Sequence, residues 1–214
     1  MIHRIVSCFV KITGFIPYLF VFRTKVYYQN RKAQSRRIKG KAIIVSNHTS
    51  VWDFVLVLFL FPLRLVRCVV AEIMYKKFGL NLLLPLIGSI KVDRNTQDYS
   101  FVSKSVNVLN KGGVIEIYPE GRIPEKTEEK PLPFKPSTVY VALESGAPII
   151  PIYTNGKYFT KARARVIIGE PFYALDLYDN SLSEKENIEA INEHLRNKII
   201  MLGEELERQT NQKN

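Results

Sequence analysis

Four short apolar runs constrain this chain more than any other feature: "AIIVS" (42–46), "LVRCVVA" (65–71), "VIEIY" (114–118) and "PIIPIY" (148–153). They are continuous rather than alternating and too short for core helices, the pattern of strands buried on both faces. Helical stretches lie between them. "VWDFVLVLFLF" (51–61) is cut by Pro62, "EIMYKKF" (72–78) is a short helix, and the amphipathic "YSFVSKSVNVLNKGG" (99–113) stops at Gly112-Gly113. "TVYVALESGA" (138–147) ends at Gly146, and "RARVIIG" (163–169) adds a strand. Ser183 and Glu186 form a capping-box pattern opening a last helix, with Ile188, Ile191, Leu195, Ile199, Leu202 and Leu206 on one face. This alternation predicts an α/β layered fold with a central, mostly parallel sheet flanked by helices.

The chain has 214 residues, which suits one sizeable domain with a real core. Its net charge of +11 is concentrated at one end. Of 31 Lys/Arg, ten precede Ser46, where there is no acidic residue, leaving 21 against 20 Asp/Glu in the rest. The same end is greasy: "IVSCFVKITGFIPYLFVF" (5–22) is broken only by Lys11 and Pro17. No small-residue cleavage site follows, which argues against a signal peptide. The run reads as a single membrane span or as a monotopic anchor in the interface, and the broken run beside a basic flank favours the anchor. A buried first helix with solvated charges is the plain alternative, and a basic nucleic-acid arm conflicts with the near-neutral remainder. The expected organisation is an anchoring segment at 1–39 and one folded domain at 40–214. The basic stretch 23–41 would face anionic lipid on the cytoplasmic side. The two cysteines, Cys8 and Cys68, form neither a disulfide framework nor a zinc pattern.

Four stretches offer chemistry. "NHTSVWD" (47–53) places His48 after the first strand and Asp53 five residues on. Alone it reads first as a capped turn with a structural histidine, and second as a base with its orienting carboxylate. "GSIKVDR" (88–94) brings Lys91, Asp93 and Arg94 to a strand end, where α/β sites lie; by itself it reads first as an ordinary polar strand end with an Asp–Arg pair. "IYPEGRIPE" (117–125) sets Glu120 and Arg122 on either side of Gly121, and glycine permits close backbone approach. "FKPSTVYVALESGAPIIPIY" (134–153) starts with Lys135 before a helix whose N-terminus favours an anion, and its strand reads as structural. "FGLNLLLPLIG" (78–88) lacks helical periodicity and breaks at Pro85. It reads as core or as a surface meeting lipid or an acyl chain. The sequence has no Ser or Cys elbow near His48, no Gly-rich phosphate loop and no metal-ligand spacing.

In order and spacing these stretches resemble the glycerolipid acyltransferases, specifically the 1-acyl-sn-glycerol-3-phosphate O-acyltransferase (lysophosphatidic acid acyltransferase) family. The resemblance rests on Asn47, His48 and Asp53; on Gly88, Ile90 and Arg94; on Tyr118, Pro119, Glu120 and Gly121; and on Pro148, Ile149 and Pro151. It covers residues 40–153, and bacterial members also carry an N-terminal membrane segment. The resemblance implies that His48 deprotonates the free glycerol hydroxyl while Asp53 holds the imidazole. The acyl donor would be a thioester of acyl-carrier protein or coenzyme A, with no metal or other cofactor, and the product phosphatidic acid. Arg94, Arg122 and Lys91 would hold the phosphate of a lysophospholipid acceptor, Glu120 would position a hydroxyl, and Gly121 would allow close approach. Arg122-Ile123 stands where the family has Thr-Arg, and Ser137 replaces a family glycine, which leaves the acceptor headgroup open.

Overall fold

The computed structural model describes residues 2–93 and 100–212. In chain order the elements are α1 (Ile2–Phe22), β1 (Lys25–Tyr28), β2 (Ala42–Ser46), α2 (Asp53–Leu60), β3 (Val66–Ala71), α3 (Glu72–Tyr75), α4 (Leu80–Leu86) and β4 (Ile90–Val92). There follow α5 (Ser100–Asn110), β5 (Val114–Ile117), α6 (Ser137–Ser145), β6 (Ile149–Thr154), β7 (Arg165–Ile168), a 3-10 turn (Ala174–Leu177) and α7 (Glu184–Asn211). The strands make one sheet in the order β1-β7-β6-β2-β5-β3-β4. From β6 to β4 every pair is parallel, and β7 joins β6 antiparallel with β1 parallel to it.

The apolar runs are strands because the sheet is covered on both sides. Ile43 and Val45 pack with α5, α6 and α7, while Ile44 packs with α1 and α2. A residue pointing to either face is therefore buried, and alternation has no role. The last helix carries the predicted capping box, and all six of its predicted face residues are buried. Other expectations need adjustment. "LNLLLPL" does form a helix, α4, with Pro85 in its last turn. β1 lies upstream of the expected boundary after residue 39, so the sheet reaches back into the segment read as an anchor. The "NHTS" turn gives α2 no side-chain cap; its N-cap is Trp52, which makes no such bond.

α1 docks along one edge and leaves the other apolar. Lys11, which interrupts the apolar run, turns inward: its ammonium donates to the carbonyls of Phe61, Pro62 and Arg64. These carbonyls lie on the turn that follows α2, where a cation also suits the negative end of the helix dipole. Arg36 adds to this, donating to Leu60 O at 2.7 Å and Phe59 O at 2.9 Å. Gly14 lets the helices approach, since a Cβ there would stand 2.9 Å from the Phe59 ring. Tyr18 stacks on Phe59 with ring centroids 4.5 Å apart. Outward, Ile5, Phe9, Ile12, Phe15, Ile16 and Phe20 are exposed. Part of the basic flank is also engaged by the protein: Arg23 holds Lys161 O, and Lys41 holds Ser145 O.

Replacing Lys11 with Met keeps the apolar stem and removes the donors. The loss should be about 1–3 kcal/mol, seen as a lower Tm by several degrees. An unchanged Tm would mean that these contacts do not hold α1.

Candidate active site

Because β2, β3, β4, β5 and β6 run parallel, their C-terminal ends share one edge of the sheet. His48 follows β2 there, Tyr118 follows β5, and Asn47 bridges to β6. The Asn47 amide donates to Thr154 O at 3.0 Å and its oxygen accepts from Thr154 N at 2.9 Å, which fixes the turn before His48.

Asp53 opens α2 and is 1% exposed. Its Oδ2 accepts from Thr49 N at 2.7 Å, Ser50 N at 2.9 Å and His48 Nδ1 at 2.8 Å. Its Oδ1 accepts from Thr49 Oγ1 at 2.8 Å and Tyr158 OH at 2.7 Å. A carboxylate only accepts, so His48 carries its proton on Nδ1 in this pair, and Nε2 is the nitrogen left for other partners. Capped turn and oriented histidine are thus one structure, with the carboxylate capping the turn's amides instead of the turn capping the helix.

The His48 ring lies flat on Tyr118, with centroids 4.3 Å apart and planes at 20°. The Tyr118 hydroxyl donates to Glu116, a buried carboxyl on the same face of β5. Burial pushes Glu116 up to about 8; Tyr118 and Cys68 pull it back, and Asp53 adds to the rise. Burial, with Glu116 beside it, pushes the Cys68 thiol up. The Tyr158 phenol is raised by burial and by Asp53, so it stays a donor.

His48 opens on a cavity of about 520 Å³, within the usual range for small-molecule sites. Its lining includes Val69, Ala71, Leu80, Leu84 and Phe101, together with Tyr118, Pro119, Gly121 and Lys135. Leu80 and Leu84 come from the stretch read as core or as a surface meeting lipid or an acyl chain.

The other expected site residues are placed differently. Glu120 is 4% exposed and does not line the cavity. Its oxygens accept from His48 N at 2.7 Å and Leu132 N at 2.9 Å, so it ties the two loops together because buried amides need acceptors. Burial raises its pKa, while the two amides lower it. Gly121 is at the cavity with φ +73°, a left-handed turn that favours glycine. Arg122 does not enter: its guanidinium forks onto Glu128 in an exposed loop. Lys91 is also outside, 3.3 Å from Glu72 at the surface. Arg94 lies outside the described residues. Sequence reasoning missed Tyr158 and the Glu116–Tyr118 pair. A buried "E" inside "VIEIY" was the only signal for the pair, and no linear signal marked Tyr158, 105 residues from Asp53.

The acyltransferase family profile matches residues 23–155, more than half of the chain and all of this site's strand ends. The chain belongs to the acyltransferase family. It is 30% identical over 127 residues to the 1-acyl-sn-glycerol-3-phosphate acyltransferase of Limnanthes douglasii, covering 58% of this chain and 44% of that one. It is 31% identical over 122 residues to the enzyme of the same name from Cocos nucifera, covering 55% and 38%. The chain thus spans less than half of these relatives. The fold is similar to the crystal structure of the 1-acyl-sn-glycerophosphate (LPA) acyltransferase PlsC from Thermotoga maritima. The TM-score is 0.65 at 20% identity, covering 94% of this chain and 79% of that one. Within the matched residues His48 lies on the turn between β2 and α2, and Asp53 is the first residue of α2.

Glu116 gives a test that needs no substrate. The folded protein holds its proton between about pH 5 and pH 8, where the unfolded chain releases it, so stability is present at low pH and falls as pH rises to about 8. Each unit of displacement is about 1.4 kcal/mol. Glu116→Gln should flatten this decline in unfolding free energy. A variant with the wild-type slope would assign the decline to other groups.

Proposed function

We propose that this protein transfers a fatty acyl group from a thioester, of acyl-carrier protein or coenzyme A, to the free hydroxyl of 1-acylglycerol 3-phosphate, forming phosphatidic acid for phospholipid synthesis. The observation that carries the reading is a histidine whose Nδ1 is locked on buried Asp53, beside an apolar cavity able to take a hydrocarbon chain. His48 Nε2 removes the hydroxyl proton as the oxygen bonds to the thioester carbonyl. The tetrahedral intermediate expels the thiolate, the C–S bond breaks, and the proton from Nε2 leaves with the thiol. Asp53 keeps the tautomer and steadies the imidazolium. Cys68 lines the same cavity, but its raised thiol is a poor nucleophile, which favours direct transfer over an acyl-enzyme. Glu120 acts as a positioning residue through the His48 amide.

His48→Ala should abolish transfer with the Tm unchanged, and Asp53→Asn should lower kcat by orders of magnitude. Turnover by a folded His48→Ala protein would refute the reading. Because Arg122 engages Glu128, a second acceptor class is worth comparing: another lysophospholipid or glycerol 3-phosphate, with the same chemistry. Relative rates across these acceptors decide.

The acceptor and product are lipids, and α1 would hold the enzyme on the cytoplasmic face of the cell membrane as a monotopic anchor or single span. Its 21 residues are long and apolar enough to cross a bilayer, yet its Lys11 face is docked on α2. Both facts accord with an outer face in lipid. The double variant Phe9→Glu, Phe20→Glu changes only exposed positions. It should lose flotation with anionic vesicles that the wild type retains, and undiminished flotation would place the anchor elsewhere.

A further inference from the structure

Among the described residues, one of the basic side chains that the sequence brings near the cavity enters it. Among the described residues Lys135 is the only Lys or Arg on the lining, beside His48, Pro119 and Gly121. Its amide donates to Pro119 O at 2.9 Å, which pins the residue to the Pro-Glu-Gly turn. Its stem passes over Gly121, where a Cβ would stand 2.8 Å from Cε and 3.1 Å from Nζ. Any larger residue at 121 would therefore meet the lysine as well as strain the positive φ. The side chain is exposed, and among the described residues no carboxylate, carbonyl or ring holds the ammonium. Asp93, the acidic group on the same lining, has a partner of its own.

An ammonium carries three donors and no acceptor, and the described residues supply Lys135 with no carboxylate of the kind that occupies Arg122 and Lys91. Ser137, at the start of α6, is on the lining two residues further on, so the amides of a nine-residue helix add partial positive charge on the same side. A phosphomonoester is the anion whose geometry suits a point cation with helix amides behind it.

We propose that Lys135, in place of Arg122, holds the phosphate of the acceptor beside His48, and that Gly121 is bare so that the lysine can reach it. This rests on the acyl-transfer reading above. Phosphate could also come from the donor, whose pantetheine arm carries it, so the test separates the two.

The full chain in detergent is titrated with lysophosphatidate and with monoacylglycerol, and KM is measured for lysophosphatidate and for acyl-CoA, in wild type, Lys135→Gln and Lys135→Arg. Lys135→Gln should raise Kd and KM for lysophosphatidate about tenfold or more. It should leave monoacylglycerol binding and the KM for acyl-CoA within about twofold, as expected for loss of a charge-assisted bond to one ligand. Lys135→Arg should recover most of the affinity. Unchanged lysophosphatidate affinity in Lys135→Gln would overturn the assignment, as would a wild type that binds the two lipids equally. A rise in the KM for acyl-CoA alone would also overturn it, moving the lysine to the donor. Lys135-dependent lysophosphatidate binding without any transfer would sink the acyltransferase reading and leave this one standing.

Discussion

Asp53 receives hydrogen bonds from His48, Thr49, Ser50 and Tyr158 while almost wholly buried, and the site is arranged around that carboxylate. A buried carboxylate is costly unless its lone pairs are filled, so the turn after β2, the first residue of α2 and the loop after β6 must all arrive together. Removing any one donor leaves the others in place, but removing the acceptor frees all of them. The same acceptor fixes which nitrogen of His48 faces the cavity. Stability and chemistry here depend on one group.

Around it the carboxylates are assigned by environment. Asp53 accepts from His48, Glu120 accepts from backbone amides, and Glu116, equally buried, holds its proton near neutral pH. Burial is what keeps the proton on Glu116, and the charge of Asp53 adds to the effect. Tyr118 links the two levels, with its ring under His48 and its hydroxyl on Glu116.

Much of the fold was legible because burial on both faces leaves an unmistakable trace: "AIIVS" became Ala42–Ser46, and "VIEIY" lost only its last residue. β1 escaped notice because "KVYY" is a short edge strand inside a basic stretch, where charge masked the pattern. His48 and Asp53 were legible from spacing plus resemblance. Arg122 was not, since adjacency to Gly121 cannot tell on which side of a turn a side chain leaves, and Glu128 in the charged "EKTEEK" stretch draws it away. Lys135 carried the converse error: its distance along the chain from Gly121 concealed their contact. Tyr158 shows the general limit, because a partner contributed by a distant loop has no local signature.

The aromatic cluster at the end of α1 has a mechanical consequence. Phe22 packs on Tyr158 with centroids 4.9 Å apart, and Tyr158 donates to Asp53. The helix with the greasy outer face is therefore two contacts away from the carboxylate that orients His48. Tilting or peeling that helix would tug on the His48–Asp53 pair, so the lever arm and the latch belong to one continuous piece of the molecule.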